Sequence, residues 1–201
     1  MAQPTQYQRV GSTQFDVTEA GVESLGYLSF DGIDDWMVTP TITPGIDKVQ
    51  VFAGVRKLTD VRGILAELGT GLQDGSFGAQ APQTTGVAGY EFYSKGTVFR
   101  ATGVGSGYPA PINNILTCTA DISGDDITLR IDGAQISQSV GDQGTGVYNN
   151  YALTVGRRAS GGLHFKGDIY SLITRFGDNL EVAQIESTEA YVAGKTAGVD
   201  L

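Results

Sequence analysis

The chain is predicted to be all-β: two antiparallel sheets packed face to face as a sandwich, with a short C-terminal helix. Three observations predict it. Apolar residues recur at a period of two in many short segments, as in Val49, Val51, Ala53 and Val55. Asp-Gly and glycine-rich stretches separate these segments, and the 29 glycines keep no three-residue period, which is turn chemistry rather than collagen. Only the tail after Asp178 takes up helical spacing. At 201 residues the chain suits one domain with a sizeable core, and it shows no internal repeat.

The elements follow in order. Residues 1–25 are polar, with isolated apolar residues at Tyr7, Val10, Phe15 and Val17. They read as an arm or an edge strand held by a partner, and these four are the candidate attachment residues. Residues 26–201 then form the sandwich with its helix. Tyr27 to Val38 reads as strand, turn and strand, reversing at Asp31-Gly32. Val49 to Arg56 alternates with both faces partly apolar, and Gly63 to Leu68 is a second apolar run. Gly69 to Gly89 is predicted to be a long functional or partner-ordered loop.

Tyr90–Tyr93 and Thr97–Arg100 form a hairpin, and Gly103–Pro111 is a loop presenting Tyr108. Three strands follow at Ile115–Ala120, Ile127–Ile131 and Ala134–Val140, the last two joined at Asp132-Gly133. In the middle strand Ile127, Leu129 and Ile131 share one face. After a polar loop from Gly141 to Asn150 come a strand through Tyr151, Leu153 and Val155 and the strongest strand, Phe165–Phe176, predicted central and buried on both faces. Asp178 is the predicted helix cap, with Glu181 three residues on, and Gly194 the stop.

Composition narrows the function. The 22 acidic and 13 basic residues leave a net charge of −9, which repels nucleic acid and anionic membranes alike. No run approaches a membrane span, and the first residues lack a secretory pattern, which predicts synthesis and folding in a cytoplasm. The single cysteine, Cys118, excludes an intrachain disulfide and a thiolate metal cluster, and its place in an apolar run predicts a buried small side chain.

Phe30-Asp31-Gly32-Ile33-Asp34-Asp35-Trp36 resembles the opening motif of laminin-G-like, concanavalin A-like jelly-roll domains of the bacteriophage virion-protein type. Leu129-Arg130-Ile131-Asp132-Gly133 is similar to that family's hairpin, and Leu153–Arg158 with Phe165–Ile173 to its closing strands. The tail from Leu180 to Lys195 resembles the helix that ends its phage members. The resemblance covers residues 26–195 in the right order. It implies a concanavalin A-like jelly roll, and a virion as the place of work.

Within such a sandwich, catalysis, glycan binding and passive structure compete. Hydrolytic relatives carry Glu-x-Asp-x-x-Glu along one strand, and none of the seven glutamates here begins that pattern. Glu186 and Glu189 fall on the tail helix, Glu91 is followed by Phe92 and Tyr93, and His164 has no nucleophile motif beside it. The chain is therefore expected to be non-catalytic. Glycan binding asks for aromatic faces with amides and charges, and Tyr108, Tyr148, Asn149, Asn150, Arg157 and Arg158 are the candidates in or beside loops. Calcium, used by many relatives, has one dense acidic cluster to consider, Asp31, Asp34 and Asp35, which reads instead as a set of turn formers. No cofactor is predicted. The leading expectation is a virion structural protein, decorating the capsid or associated with the tail. Its expected partners are other virion proteins, copies of itself and a surface glycan; the alternative is a lectin module in host recognition.

Overall fold

The computed structural model describes residues 14–16, 25–69 and 73–201. They form thirteen strands and one α-helix, numbered in chain order. The first sheet runs β1 (Gln14–Asp16), β2 (Leu25–Asp31), β13 (Lys166–Phe176), β4 (Lys48–Lys57), β9 (Ile112–Asp121), β10 (Asp126–Ile131) and β11 (Ala134–Ser139). The second runs β3 (Met37–Thr41), β12 (Ala152–Val155), β5 (Ile64–Leu68), β6 (Ser76–Gln80), β7 (Tyr90–Lys95) and β8 (Phe99–Val104). Every pairing between these strands is antiparallel, so the chain is a two-sheet jelly-roll sandwich.

Period-two alternation builds the core. Phe77 and Ala79 of β6, Phe92 of β7 and Leu153 of β12 point inward to meet Val49 and Val51 of β4 and Ile127, Leu129 and Ile131 of β10. Phe30 is 1% exposed and packs its ring 6.2 Å from that of Phe165. It also fixes a glycine: Gly156 has φ +84, and a Cβ there would meet the Phe30 ring at 2.3 Å. Cys118 is buried in the same core, and burial pushes its thiol pKa up, which makes it a small hydrophobe.

Four expectations are corrected. The strands on either side of Asp31-Gly32 do not pair, because β2 bonds to β1 and β13 while β3 bonds to β12. The turn, with Gly32 at φ +80, therefore carries the chain from one sheet to the other. The span 69–89 is not structureless: Ser76–Gln80 forms β6, a fully buried strand whose small and polar residues disguise it. The second half of β13, Ser171–Phe176, is only half-buried, since Leu172 and Phe176 face the core while Ile173 packs on the opposite side with the helix cluster. The helix α1 spans Val182–Ala193 with Glu181 at its N-cap, three residues beyond Asp178, and the Glu181 N–H is capped by Gln184 Oε1.

That helix closes the outer side of the seven-stranded sheet. Val192 and Ala193 pack on Phe52 and Ile115, and Arg130 of β10 grips Glu189 through Nε–Oε1 at 2.8 Å and Nη2–Oε2 at 3.0 Å. The helix covers the part of that outer side around β4, β9 and β10, and the outer side of the six-stranded sheet carries a second layer of largely buried polar side chains. Among the described residues no helix is long and apolar enough to cross a membrane.

Candidate functional site

The outer side of the six-stranded sheet is unexpectedly polar for strands that are buried along most of their length. The same alternation that sends Phe77, Ala79 and Phe92 inward sends Glu67, Gly78, Gln80, Glu91 and Tyr93 outward. Glu67 is fully buried, Tyr93 is 1% exposed and Gln80 2%. Buried polar groups of this kind must be paired, and each is.

Two small networks do the pairing. In the first, Tyr93 Oη donates to Glu67 Oε1 at 2.5 Å, reaching across β6. Gly78, directly between them in register, makes this reach feasible: a Cβ there would lie 2.5 Å from the Tyr93 ring and hydroxyl. The Glu67 carboxylate is completed by Arg158, whose Nε stands 3.6 Å from Oε1, and by the Ala159 N–H, which donates to Oε2 at 2.6 Å. In the second, Arg62 Nε and Nη2 both donate to Gln80 Oε1 at 3.1 Å, and Gln80 Nε2 donates to Glu91 Oε1 at 2.8 Å. Burial pushes the Glu91 carboxyl up to about 7, with the Arg62 charge pulling weakly the other way.

The networks meet around Tyr93, whose phenol feels both Arg158 and Arg62. On its other side the ring stands 5.4 Å from that of Phe99, which is 38% exposed on the edge strand β8. Ala101 and Gly103 continue the same side of β8 opposite Tyr93 and Glu91. At the far edge the Arg157 guanidinium lies 3.5 Å over the Trp36 ring, and burial lowers its pKa. The result is a platform whose accessible groups are the exposed Phe99 ring and the half-buried guanidinium groups of Arg62, Arg157 and Arg158, over a buried, already paired amide and carboxyl. Such groups stack on a sugar face and bond its hydroxyls.

The six residues singled out in the sequence are not gathered in one place. Arg157 and Arg158 flank the platform. Tyr108 is half-buried in the loop after β8, its ring 5.7 Å from that of Tyr90 and its N–H bonded to Ala88 O. Tyr148 is not exposed: it is fully buried, edge-on to Phe77 at 5.6 Å, with its hydroxyl 2.7 Å from Ser94 Oγ. Asn149 and Asn150 are exposed, and Asn149 is tied by its side chain to Asp74 O. Of the attachment candidates, Tyr7, Val10 and Val17 lie outside the described residues, while Phe15 belongs to β1, paired with Gly26.

Asp31, Asp34 and Asp35 bring carboxylate oxygens within 4.8 Å of one another. Asp31 Oδ1 accepts the N–H groups of Ile33 and Asp34 at 2.7 and 3.3 Å, and Asp35 Oδ2 accepts that of Asp31 at 3.0 Å. Those bonds hold the Asp31 pKa down and close the turn. The hydrogen bonds of the cluster are those of a turn.

The platform residues Arg62, Glu67, Gln80, Glu91, Tyr93 and Phe99 went unselected in the sequence. One signal was present: Glu67 interrupts the apolar run Ile64–Leu68, and Glu91 and Tyr93 alternate with buried Phe92.

No known protein-family profile matches this chain, and no curated protein matches it in sequence. Solved structures do match in shape. The Ruminococcus gnavus IT-sialidase CBM40 bound to α2,3 sialyllactose aligns with 76% of this chain and 98% of its own, at 13% identity and a TM-score of 0.57. The heptameric SAP-like pentraxin of Limulus polyphemus aligns with 84% of this chain and 82% of its own, at 11% identity and a TM-score of 0.63. The receptor binding domain of botulinum neurotoxin C/D mosaic serotype aligns with 89% of this chain, at 12% identity and a TM-score of 0.62; this chain spans 46% of that one. At these identities the likeness establishes a shared jelly-roll fold alone.

Proposed function

We propose that this protein is a non-catalytic glycan-binding jelly roll whose sugar platform is the outer side of the six-stranded sheet. The observation that carries this reading is the convergence of Arg158 and the exposed Phe99 ring on the Glu67–Tyr93 pair, with Arg62 anchored beside it on Gln80. The buried carboxylate, phenol and amide are hydrogen-bonded to one another and to Arg62 and Ala159, so they hold the exposed ring and the guanidinium groups in fixed positions. A solved neighbour of the same fold is described as bound to sialyllactose, and another as a receptor binding domain, which supports the class. Hydrolysis is disfavoured because both Glu67 oxygens already accept protein donors and Glu91 Oε1 accepts from Gln80. A nucleophile and acid pair needs two carboxyls facing one bond, whereas these two lie on strands separated by β6.

The setting we infer is a bacteriophage particle, as a capsid-decorating or tail-associated part. It is supported by the opening, hairpin and closing motifs and by the polar arm of residues 1–25. One shallow platform binds weakly, and repetition on a particle restores avidity. A glycan array probed with monomeric and multivalent protein tests the binding, and mass analysis of purified particles for this chain tests the setting.

A further inference from the structure

We propose that the platform selects glycans bearing carboxylates, which Arg62 on the β6 side and Arg157 at the β3 edge each pair separately; this rests on the glycan-binding reading above. Arg62 spends Nε and Nη2 on the neutral carbonyl oxygen of Gln80, and Arg157 spends its guanidinium on the face of Trp36. Among the described residues neither forms an ion pair with a carboxylate, whereas the neighbouring Arg158 is matched by Glu67 and Arg130 by Glu189. Arg157 Nε is moreover buried without a hydrogen-bond partner.

Arg100 and Arg175 likewise bond only neutral oxygens, so what sets this surface apart is the partnerless Arg157 Nε together with the Arg62 fork turned onto an amide. Arginine presents a planar fork that fits a carboxylate through two parallel N–H···O bonds, and such charge-assisted bonds are about twice as strong as neutral ones. The carboxyl opposite Arg62 that would oppose an anion, Glu91, hydrogen-bonds Gln80 and not the guanidinium. The platform thus keeps positive charge available beside an aromatic ring, the combination that an acidic sugar fills and a neutral one leaves unsatisfied. A uronic acid within a polysaccharide and a terminal sialic acid share this chemistry.

The test is isothermal titration with two matched pairs: oligogalacturonate against its methyl ester, and sialyllactose against lactose. The acid of at least one pair is expected to bind roughly tenfold or more tightly than its neutral counterpart, as one gained charge-assisted contact implies. Arg62→Gln and Arg157→Gln are each expected to weaken that preference and the double variant to remove it, Arg62→Lys to keep more of it than Arg62→Gln, and Lys195→Gln, on the helix side, to leave it intact. A merely structural guanidinium would fail equally as Lys and Gln. Equal affinity for acid and neutral members overturns the carboxylate selection while leaving glycan binding in place. Absence of binding in both pairs, with binding to other neutral glycans on an array, also overturns it, and absence of all glycan binding overturns both readings.

Discussion

Tyr93 donates its phenol hydrogen to Glu67 across an intervening strand, passing over Gly78. Three strands thereby contribute one residue each to a single contact, and the one in the middle contributes only the absence of a side chain. Gly78→Ala places a methyl 2.5 Å from the ring and must lift it. The expected cost is about 1–3 kcal/mol from overpacking, together with the exposed edge of a buried carboxylate. Tyr93→Phe keeps the ring and removes only the donor, with an expected cost of about 1–3 kcal/mol. Urea denaturation of both variants measures this, and unchanged midpoints would show that the contact does not hold the platform together.

Glu91 makes stability depend on pH. Its folded pKa, about 7, lies above its ordinary value of 4.5, so between those limits the folded state holds a proton that the unfolded chain has released. The contribution is fully present below the lower value and is lost as pH rises through the upper one, at roughly 1.4 kcal/mol per pKa unit. Melting temperatures of wild type and Glu91→Gln, compared from acid to mildly alkaline pH, should converge at the acid end and separate above neutrality, the variant being the more stable. Parallel curves would place Glu91 in water.

Phe30 anchors the opening strand in the core. Phe30→Ala is expected to cost about 3–5 kcal/mol, as a large aromatic lost from close packing. Gly156→Ala should be costly as well, because its φ of +84 and the Phe30 ring at 2.3 Å both oppose a Cβ. Chemical denaturation reads both, and an undisturbed Phe30→Ala protein would contradict the placement of β2.

Attachment through the arm is a separate proposal. Residues 1–12 carry Tyr7 and Val10 in an otherwise polar segment, a composition suited to lying along a partner's sheet edge. Deleting them should leave the melting temperature of the sandwich unchanged while reducing incorporation into particles. Full incorporation of the truncated protein would move the interface to the sandwich itself.

Much of the fold was legible because it rests on alternation. Ile127, Leu129 and Ile131 share one face in the sequence pattern and in the core alike, and Asp132-Gly133 turns the chain with φ values of +48 and +76. What stayed hidden has physical reasons. Ser76–Gln80 reads as loop because its outward residues are Gly78 and Gln80, chosen for Tyr93 and Arg62 rather than for strand propensity. Tyr148 reads as a loop tyrosine, yet its hydroxyl finds Ser94 inside the sandwich and so tolerates burial. The platform joins residues from four segments far apart in the chain, and only the pairing of β5, β6 and β7 brings Glu67, Gln80 and Tyr93 together. Arg157 and Arg158 were visible as a pair beside a loop, while their partners Trp36 and Glu67 were not.

The central claim, a sugar platform on the six-stranded sheet, is tested most directly by a glycan array probed with multivalent wild type and with the double variant Arg62→Gln, Phe99→Ala. The expected result is a selective signal for the wild type that the variant loses while its melting curve remains cooperative. Silence from the wild type, or an equal signal from the variant, would contradict the platform.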